Sequence, residues 1–94
     1  MRVRSTTPTE EHLIEAFKYI AEENRSAAAG LIGAIEGGAR ILGKRPSAGK
    51  TGRVAGTRGL AIAGTPFVVA YRIEKSELWI LAVMHGARKW PKEF

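Results

Sequence analysis

The stretch FVVAYRIEKSELWILAVM, residues 67–84, decides the fold of this chain. It contains two nearly continuous apolar runs, residues 67–73 and 78–84, separated by the polar residues 74–77. Runs rich in β-branched and aromatic side chains predict strands, and the short polar connection predicts an antiparallel hairpin. Because polar residues scarcely interrupt the runs, we expect both faces of these two strands to be largely covered.

A further strand is predicted upstream of the hairpin, over residues 53–62, with residues 63–66 forming the turn between them. Gly56 and Gly59 interrupt this strand and are candidate bulge positions. Before it, the glycine, proline and lysine content of residues 43–52 predicts a loop. The three strands would follow one another as a meander.

The predicted loop contains Gly49-Lys50-Thr51, which is the end of a phosphate-binding loop motif. That motif needs a glycine where this chain has Lys44, a strand that leads directly into it and a helix directly after it. The sequence meets none of the three conditions, so it excludes a nucleotide-binding loop of this kind.

A capped helix is predicted near the N-terminus. Thr7 is its predicted N-cap, Pro8 occupies the first helical position, and Glu10 completes a capping box. Apolar residues at helical spacing extend this helix to about Asn24. A short strand is predicted before it, at residues 2–6.

A second helix is predicted from a cap at Ser26 to Leu42, with Gly43 as its stop. One face of this helix is apolar, and the opposite face is formed by small residues. This smooth face indicates either a weak helix or a surface that another helix can approach closely. Its glycines are Gly30, Gly33 and Gly37.

The predicted order is β-α-α-β-β-β, which defines an α+β fold with two N-terminal helices packed on a small, mainly antiparallel sheet. With 94 residues, the chain has room for one hydrophobic core, so we expect a single domain over residues 1–94. The sequence has no cysteine, which excludes disulfides and thiolate metal sites. It also shows no secretory signal and no membrane-spanning run, so we expect a cytoplasmic protein that does not bind membranes.

The charges are distributed unevenly along the chain. Residues 1–36 contain six Glu and four Lys or Arg, whereas residues 37–94 contain three Glu and eleven Lys or Arg. No acidic residue lies between Glu36 and Glu74. This asymmetry favours an anionic partner, either nucleic acid or an acidic protein segment, over a solvated basic surface that only keeps the protein soluble.

Four blocks of sequence, in this order and at this spacing, resemble the RelE/ParE superfamily of toxins from type II toxin–antitoxin modules. They are YIAEEN at 19–24, GRVAGTR at 52–58, GTPFVVAYRI at 64–73 and ILAVMHGARKWP at 80–91. The resemblance covers nearly the whole chain. It implies a small bacterial toxin that arrests growth when free, a cognate antitoxin that neutralises it in a hetero-oligomer, and no cofactor or metal.

The superfamily contains two activities, and the sequence favours one of them. RelE-like members cleave mRNA on the ribosome and commonly carry an arginine early in the central strand, where this chain has Phe-Val-Val at 67–69. ParE-like members poison DNA gyrase, and their pattern resembles Tyr71-Arg72-Ile73 followed by the His-x-x-Arg of His85 and Arg88. We therefore expect a ParE-like toxin, with the ribosome-dependent endoribonuclease as the alternative.

The resemblance also assigns roles to individual residues. In a nuclease, His85 would act as the general acid or base and Arg58 would stabilise the phosphate. Residues expected to bind the target are Arg58, Arg72, His85, Arg88, Lys89 and Trp90. The small-residue face of the second helix and the basic charge, and not the resemblance, give the residues expected to bind the antitoxin, which are Gly30, Gly33, Gly37, Arg40, Lys44, Arg45 and Arg53.

Structural roles compete with these assignments. His85 and Arg58 could be a packed histidine and one half of an ion pair, Tyr71 is expected in the core, and His12 is expected to be a surface histidine. A different class of function, a small basic RNA-binding module, also fits the charge. Against it, the paired aromatic and glycine motif of such modules is missing from the strands.

Overall fold

Two helices and a five-stranded sheet make up the computed structural model, which describes residues 1–86 and 90–94. In chain order the elements are β1 (Arg2–Ser5), α1 (Thr7–Glu23), α2 (Arg25–Lys44), β2 (Lys50–Thr51), β3 (Arg58–Ala61), β4 (Phe67–Glu74) and β5 (Glu77–His85). The strands lie in the order β1-β5-β4-β3-β2, with β1 parallel to β5 and the other pairs antiparallel. The predicted α+β fold is confirmed.

The β4–β5 hairpin forms as predicted and is longer than the apolar runs. Pairing continues to Glu74 opposite Glu77, so only Lys75 and Ser76 remain in the turn. Both turn residues have positive φ values, 49° and 66°, as a two-residue turn matched to the twist of a hairpin requires. The register shifts between Ala70 and Tyr71, so the irregularity of the sheet lies here.

Helix α1 begins one residue earlier than predicted. Its N-cap is Thr6, whose hydroxyl accepts a hydrogen bond from the N–H of Thr9. Thr6 is extended because its own N–H donates to the carbonyl of Ile80 in β5, 3.1 Å away. The sheet therefore fixes the start of the helix, and the predicted cap at Thr7 with Glu10 is wrong by one position.

Helix α2 is longer than predicted at both ends. Asn24, not Ser26, is its N-cap and accepts from the N–H of Ala27 at 3.0 Å. The helix continues through Gly43, the predicted stop, to Lys44. The N-terminal ammonium group of Met1 donates to the carbonyl of Gly43 at 2.9 Å. Gly43 therefore contacts the residue that precedes β1, and the helix does not end there.

The core lies between the helices and one face of the sheet. Its fully buried side chains include Leu31 and Leu42 of α2 and Val69, Tyr71 and Leu78 of the hairpin. The opposite face is covered less completely than expected. Its residues are Val68, Arg72, Trp79 and Met84, all half-buried, together with the buried Ala70 and Ala82.

The segment before the hairpin departs most from prediction. Residues 53–57 turn instead of extending the strand, because the N–H of Gly52 donates to the carbonyl of Thr57. Strand β3 is therefore confined to residues 58–61, and the two-residue β2 lies inside the predicted loop. Gly59 is not a bulge, since its register with Ala70 is regular. Neither described helix is long and apolar enough to cross a membrane.

Candidate functional site

An uncompensated cluster of cations occupies the end of α2 and the β2 edge of the sheet. We call residues 44–53 the basic loop; its cations are Lys44, Arg45, Lys50 and Arg53, and Arg40 lies one helical turn before it. All five of these residues are exposed. Within residues 1–86 and 90–94, none of them forms an ion pair, since the ion pairs involve only Arg2, Arg4 and Arg72.

The backbone of the basic loop is fixed from below by Tyr71. The tyrosine is fully buried, as predicted, and its hydroxyl donates to the carbonyl of Pro46 at 2.6 Å. The same hydroxyl accepts from the N–H of Gly49 at 2.9 Å. A Cβ on Gly49 would lie 2.7 Å from the Tyr71 ring and 2.9 Å from the carbonyl oxygen of Gly59. Only glycine therefore fits here without displacing the tyrosine or the strand.

Arg58 contacts the same loop. It is half-buried, and its Nη1 donates to the carbonyl of Gly49 at 2.8 Å. Its guanidinium has no carboxylate within ion-pair distance among the described residues. From the sequence, two interpretations of Arg58 were open: a cation that stabilises phosphate, or one half of an ion pair with a glutamate. The structure shows a third arrangement, an arginine bonded to a loop carbonyl.

The outer face of α2 is open above its glycines. A Cβ on Gly30 or Gly33 would meet no atom within 4 Å, and one on Gly37 would meet only the guanidinium of Arg40, at 3.9 Å. The helix is continuous across all three positions. Gly38 differs, because its Cβ would lie 2.7 Å from the side chain of Ile62 beneath it.

His85 ends β5 beside a cleft of about 880 Å³ between α1 and the sheet. The imidazole is half-buried and packs edge-on against Phe67, with ring centroids 5.9 Å apart. Across the cleft, Nδ1 of His12 accepts a hydrogen bond from the N–H of Val83 at 3.3 Å. His12 is thus a half-buried residue that caps the edge of β5, and its prediction as a surface histidine is wrong.

His85 and Arg58 lie far apart on the sheet. Arg58 is opposite Tyr71 on one side of β4, and His85 is opposite Phe67 on the other side. Phe67 and Tyr71 are four residues apart along the strand, which corresponds to about 13 Å along β4 before the width of the strands is added. The two residues predicted to act in a nuclease therefore lie too far apart to contact the same phosphate group.

The remaining nominated residues lie elsewhere. Arg72 is on the sheet face away from the helices, and its Nη1 lies 3.4 Å from a carboxylate oxygen of Glu74. Trp90 packs its ring against the backbone of Gly52 and Gly59, where a Cβ would approach it to 2.8 and 3.0 Å. Arg88 and Lys89 lie outside the described residues.

Sequence reasoning missed the structural roles of three residues, Tyr71, Gly49 and His12. It placed Tyr71 in the core and did not find its hydroxyl contacts, because they link residues more than twenty positions apart. Gly49 was considered only as part of a phosphate-binding motif. The capping role of His12 depends on β5 extending beyond β1, since Ser5 is the last residue of β1 and pairs with Ile80.

Comparison with known proteins gives concordant results. Residues 3–90 match the family model described as ParE toxin of type II toxin–antitoxin system, parDE. A curated relative from Sinorhizobium fredii (strain NBRC 101917 / NGR234), named "Putative toxin Y4kP", is 34% identical over 91 residues, which are 97% of this chain and 94% of the relative. A solved structure titled "Chromosomal ParDE TA system from P. aeruginosa" is similar at a TM-score of 0.83. The two sequences are 20% identical, and the match covers 90% of this chain and 95% of the chain in that structure.

Proposed function

We propose that this chain, which belongs to the ParE toxin family of type II toxin–antitoxin systems, arrests bacterial growth by poisoning DNA gyrase. A cognate antitoxin would neutralise it in a hetero-oligomer, and the proposal requires the free toxin to act in the cytoplasm, where gyrase works. The match to a ParE model over residues 3–90 supports the ParE-like activity.

The observation that carries the choice of target is the separation of His85 from Arg58. Ribosome-dependent cleavage needs an acid or base and a cation on the same phosphate. Here the two candidates pair with opposite ends of the central strand segment from Phe67 to Tyr71. In addition, Phe67 and Val69, two of the three positions where RelE-like members commonly carry arginine, are buried in the core, whereas Val68 is half-buried on the other face. An arginine at either buried position would disrupt the packing.

The residues proposed to contact gyrase are Arg58, Arg72, His85, Arg88, Lys89 and Trp90. If the chain is a gyrase poison, these side chains bind gyrase and do not catalyse a reaction, so the loss of one reduces activity without abolishing it. Those proposed to contact the antitoxin are Gly30, Gly33 and Gly37 on α2, and Arg40, Lys44, Arg45 and Arg53 beside them. A helix can approach closely over glycines, and opposite charges accelerate association.

Inducible expression tests the proposal. Expression of the chain alone should arrest growth and induce an SOS reporter, because a gyrase poison leaves cleaved DNA. Coexpression of the adjacent small gene, which is expected to encode the antitoxin, should restore growth. Normal growth at high expression would contradict an active toxin, and arrest without SOS induction would contradict gyrase as the target.

A substitution on α2 tests the antitoxin surface in the same assay. Gly33→Phe should weaken neutralisation more than folding, because nothing lies within 4 Å of the position and a bulky ring would block a docked helix. Gly33→Ala is the control, since it adds one methyl group. Unchanged affinity for the antitoxin together with a lower Tm would show that the glycine face plays no part in docking.

A further inference from the structure

We infer that Tyr71 and Arg58 are positioning residues that hold the basic loop in the shape in which its cations meet an acidic segment of the antitoxin. The inference rests on the proposed antitoxin partner and adds to it. It assigns a function to a buried hydroxyl and a half-buried guanidinium, neither of which reaches a carboxylate of this chain among the described residues.

The first step is the way in which Tyr71 joins the two halves of the loop. Its hydroxyl bonds to Pro46 on one side and to Gly49 on the other, and both groups belong to the backbone. The N–H of Ala48 donates to the carbonyl of Arg45 at 3.0 Å and closes the turn between them. One buried phenol therefore determines the path of four consecutive residues.

Arg58 supplies the second point of attachment. Its Nη1 bonds to the carbonyl of Gly49, so both polar backbone groups of this glycine are held by side chains from the sheet. The following residues, Lys50 and Thr51, then pair with Gly59 and Arg58 in the β2–β3 ladder. The loop is thus attached to β3 and β4 through hydrogen bonds.

This attachment orders the backbone of the loop, and the long cationic side chains extend outward from it. The exposed cations on either side of Gly49 are Arg45 and Lys50, and neither forms an ion pair with a described residue. A loop that is ordered before binding loses less conformational entropy when a partner binds. Rigid placement of the charges also raises the rate at which an anionic partner is captured.

An acidic peptide fits this surface better than the phosphates of a nucleic acid. The loop directly continues α2, and Arg40 lies beside Gly37 one turn before Lys44. A protein partner that lies along α2 therefore meets the loop where the helix ends. Its carboxylates can follow a short curved loop, whereas duplex phosphates favour a longer regular track of cations.

Amide hydrogen exchange of the purified chain tests the positioning role without any partner. Tyr71→Phe keeps the ring in the core and removes only the hydroxyl, so Gly49 and Pro46 lose their partner. We expect exchange at the Gly49 amide to rise roughly tenfold relative to the amides of β4 and β5 in the same protein. Trypsin should also cleave faster after Lys50 and Arg53. Tyr19→Phe is the matched control, because Tyr19 is 70% exposed.

A second pair of variants separates charge from packing. Arg58→Met keeps the aliphatic stem and should loosen the loop, whereas Arg58→Lys keeps a cationic donor and should restore much of the protection. An equal rise in exchange at every amide would mean that Tyr71→Phe only destabilises the fold, and it would overturn the inference. Unchanged exchange at Gly49 would overturn it as well.

Binding of a fluorescein-labelled decaglutamate peptide at low salt tests the recognition step. Tyr71→Phe should weaken binding roughly fivefold, a change equivalent to the loss of one net hydrogen bond, and Tyr19→Phe should leave it unchanged. A loosened loop with unchanged peptide affinity would contradict the inference, as would tighter binding of a single-stranded DNA decamer. These readouts involve neither growth arrest nor gyrase, so they can fail while the proposed function stands, and the reverse also holds.

Discussion

The helix-covered core and the basic loop are stabilised in different ways. Leu31, Leu42 and Leu78 are at most 2% exposed and represent a core in which apolar burial is the main stabilising contribution. In the basic loop, by contrast, the backbone bonds to the hydroxyl of Tyr71 and the guanidinium of Arg58. The difference indicates that folding and partner recognition can be altered separately, and the substitutions below test that separation.

The largest effect is expected in the core. Leu78→Ala removes a side chain that is 0% exposed and packed between the sheet and the helices, so it should lower the free energy of unfolding by roughly 2–5 kcal/mol. Ile73→Ala is the control on the neighbouring strand, because Ile73 is 42% exposed. Urea unfolding measures both variants. Equal losses at the two positions would contradict this description of the core.

An intermediate effect is expected in the basic loop. In Gly49→Ala the added methyl group would lie 2.7 Å from Tyr71, and the overpacking should cost roughly 1–3 kcal/mol. The loss should be accompanied by faster exchange in residues 44–53, while the amides of β4 remain protected. A fully tolerated Gly49→Ala would show that the loop is not held against Tyr71 as described.

The smallest effect is expected on the outer face of α2, and it has the opposite sign. Gly30→Ala adds a methyl group where no atom lies within 4 Å, so it should stabilise the chain by about 0.5–1 kcal/mol through helix propensity. The Tm should rise by a few degrees. Gly38→Ala is the contrast, because its Cβ would lie 2.7 Å from Ile62. A stabilised Gly38→Ala would contradict the packing of α2 on the sheet.

The sequence predicted the fold where the local pattern agrees with the tertiary structure. The hairpin of β4 and β5 is set by two long apolar runs, and both helices are set by apolar residues at helical spacing. The C-terminal end of α2 was mispredicted, and there the carbonyl of Gly43 accepts a hydrogen bond from the N-terminal amine of Met1, a contact between distant residues. The segment 53–57 was mispredicted because Thr57 closes a turn that competes with the strand.

The candidate site was only partly predictable for the same reason. Charge counting identifies the basic loop, because the absence of acidic residues between Glu36 and Glu74 is visible in the sequence. No local pattern reveals that Tyr71 and Arg58 hold its backbone, since each bond joins separate elements. The separation of His85 from Arg58 likewise follows from strand order, which places β3 and β5 on opposite sides of β4.

A supercoiling assay with purified toxin, purified gyrase and relaxed plasmid asks whether gyrase is the target. We predict that the toxin slows supercoiling and traps cleaved DNA, and that His85→Ala reduces this effect only in part. A translating system with the same toxin should show intact mRNA. Unchanged supercoiling, together with codon-specific mRNA cleavage that His85→Ala abolishes, would rule out gyrase as the target and identify the chain as a ribosome-dependent nuclease.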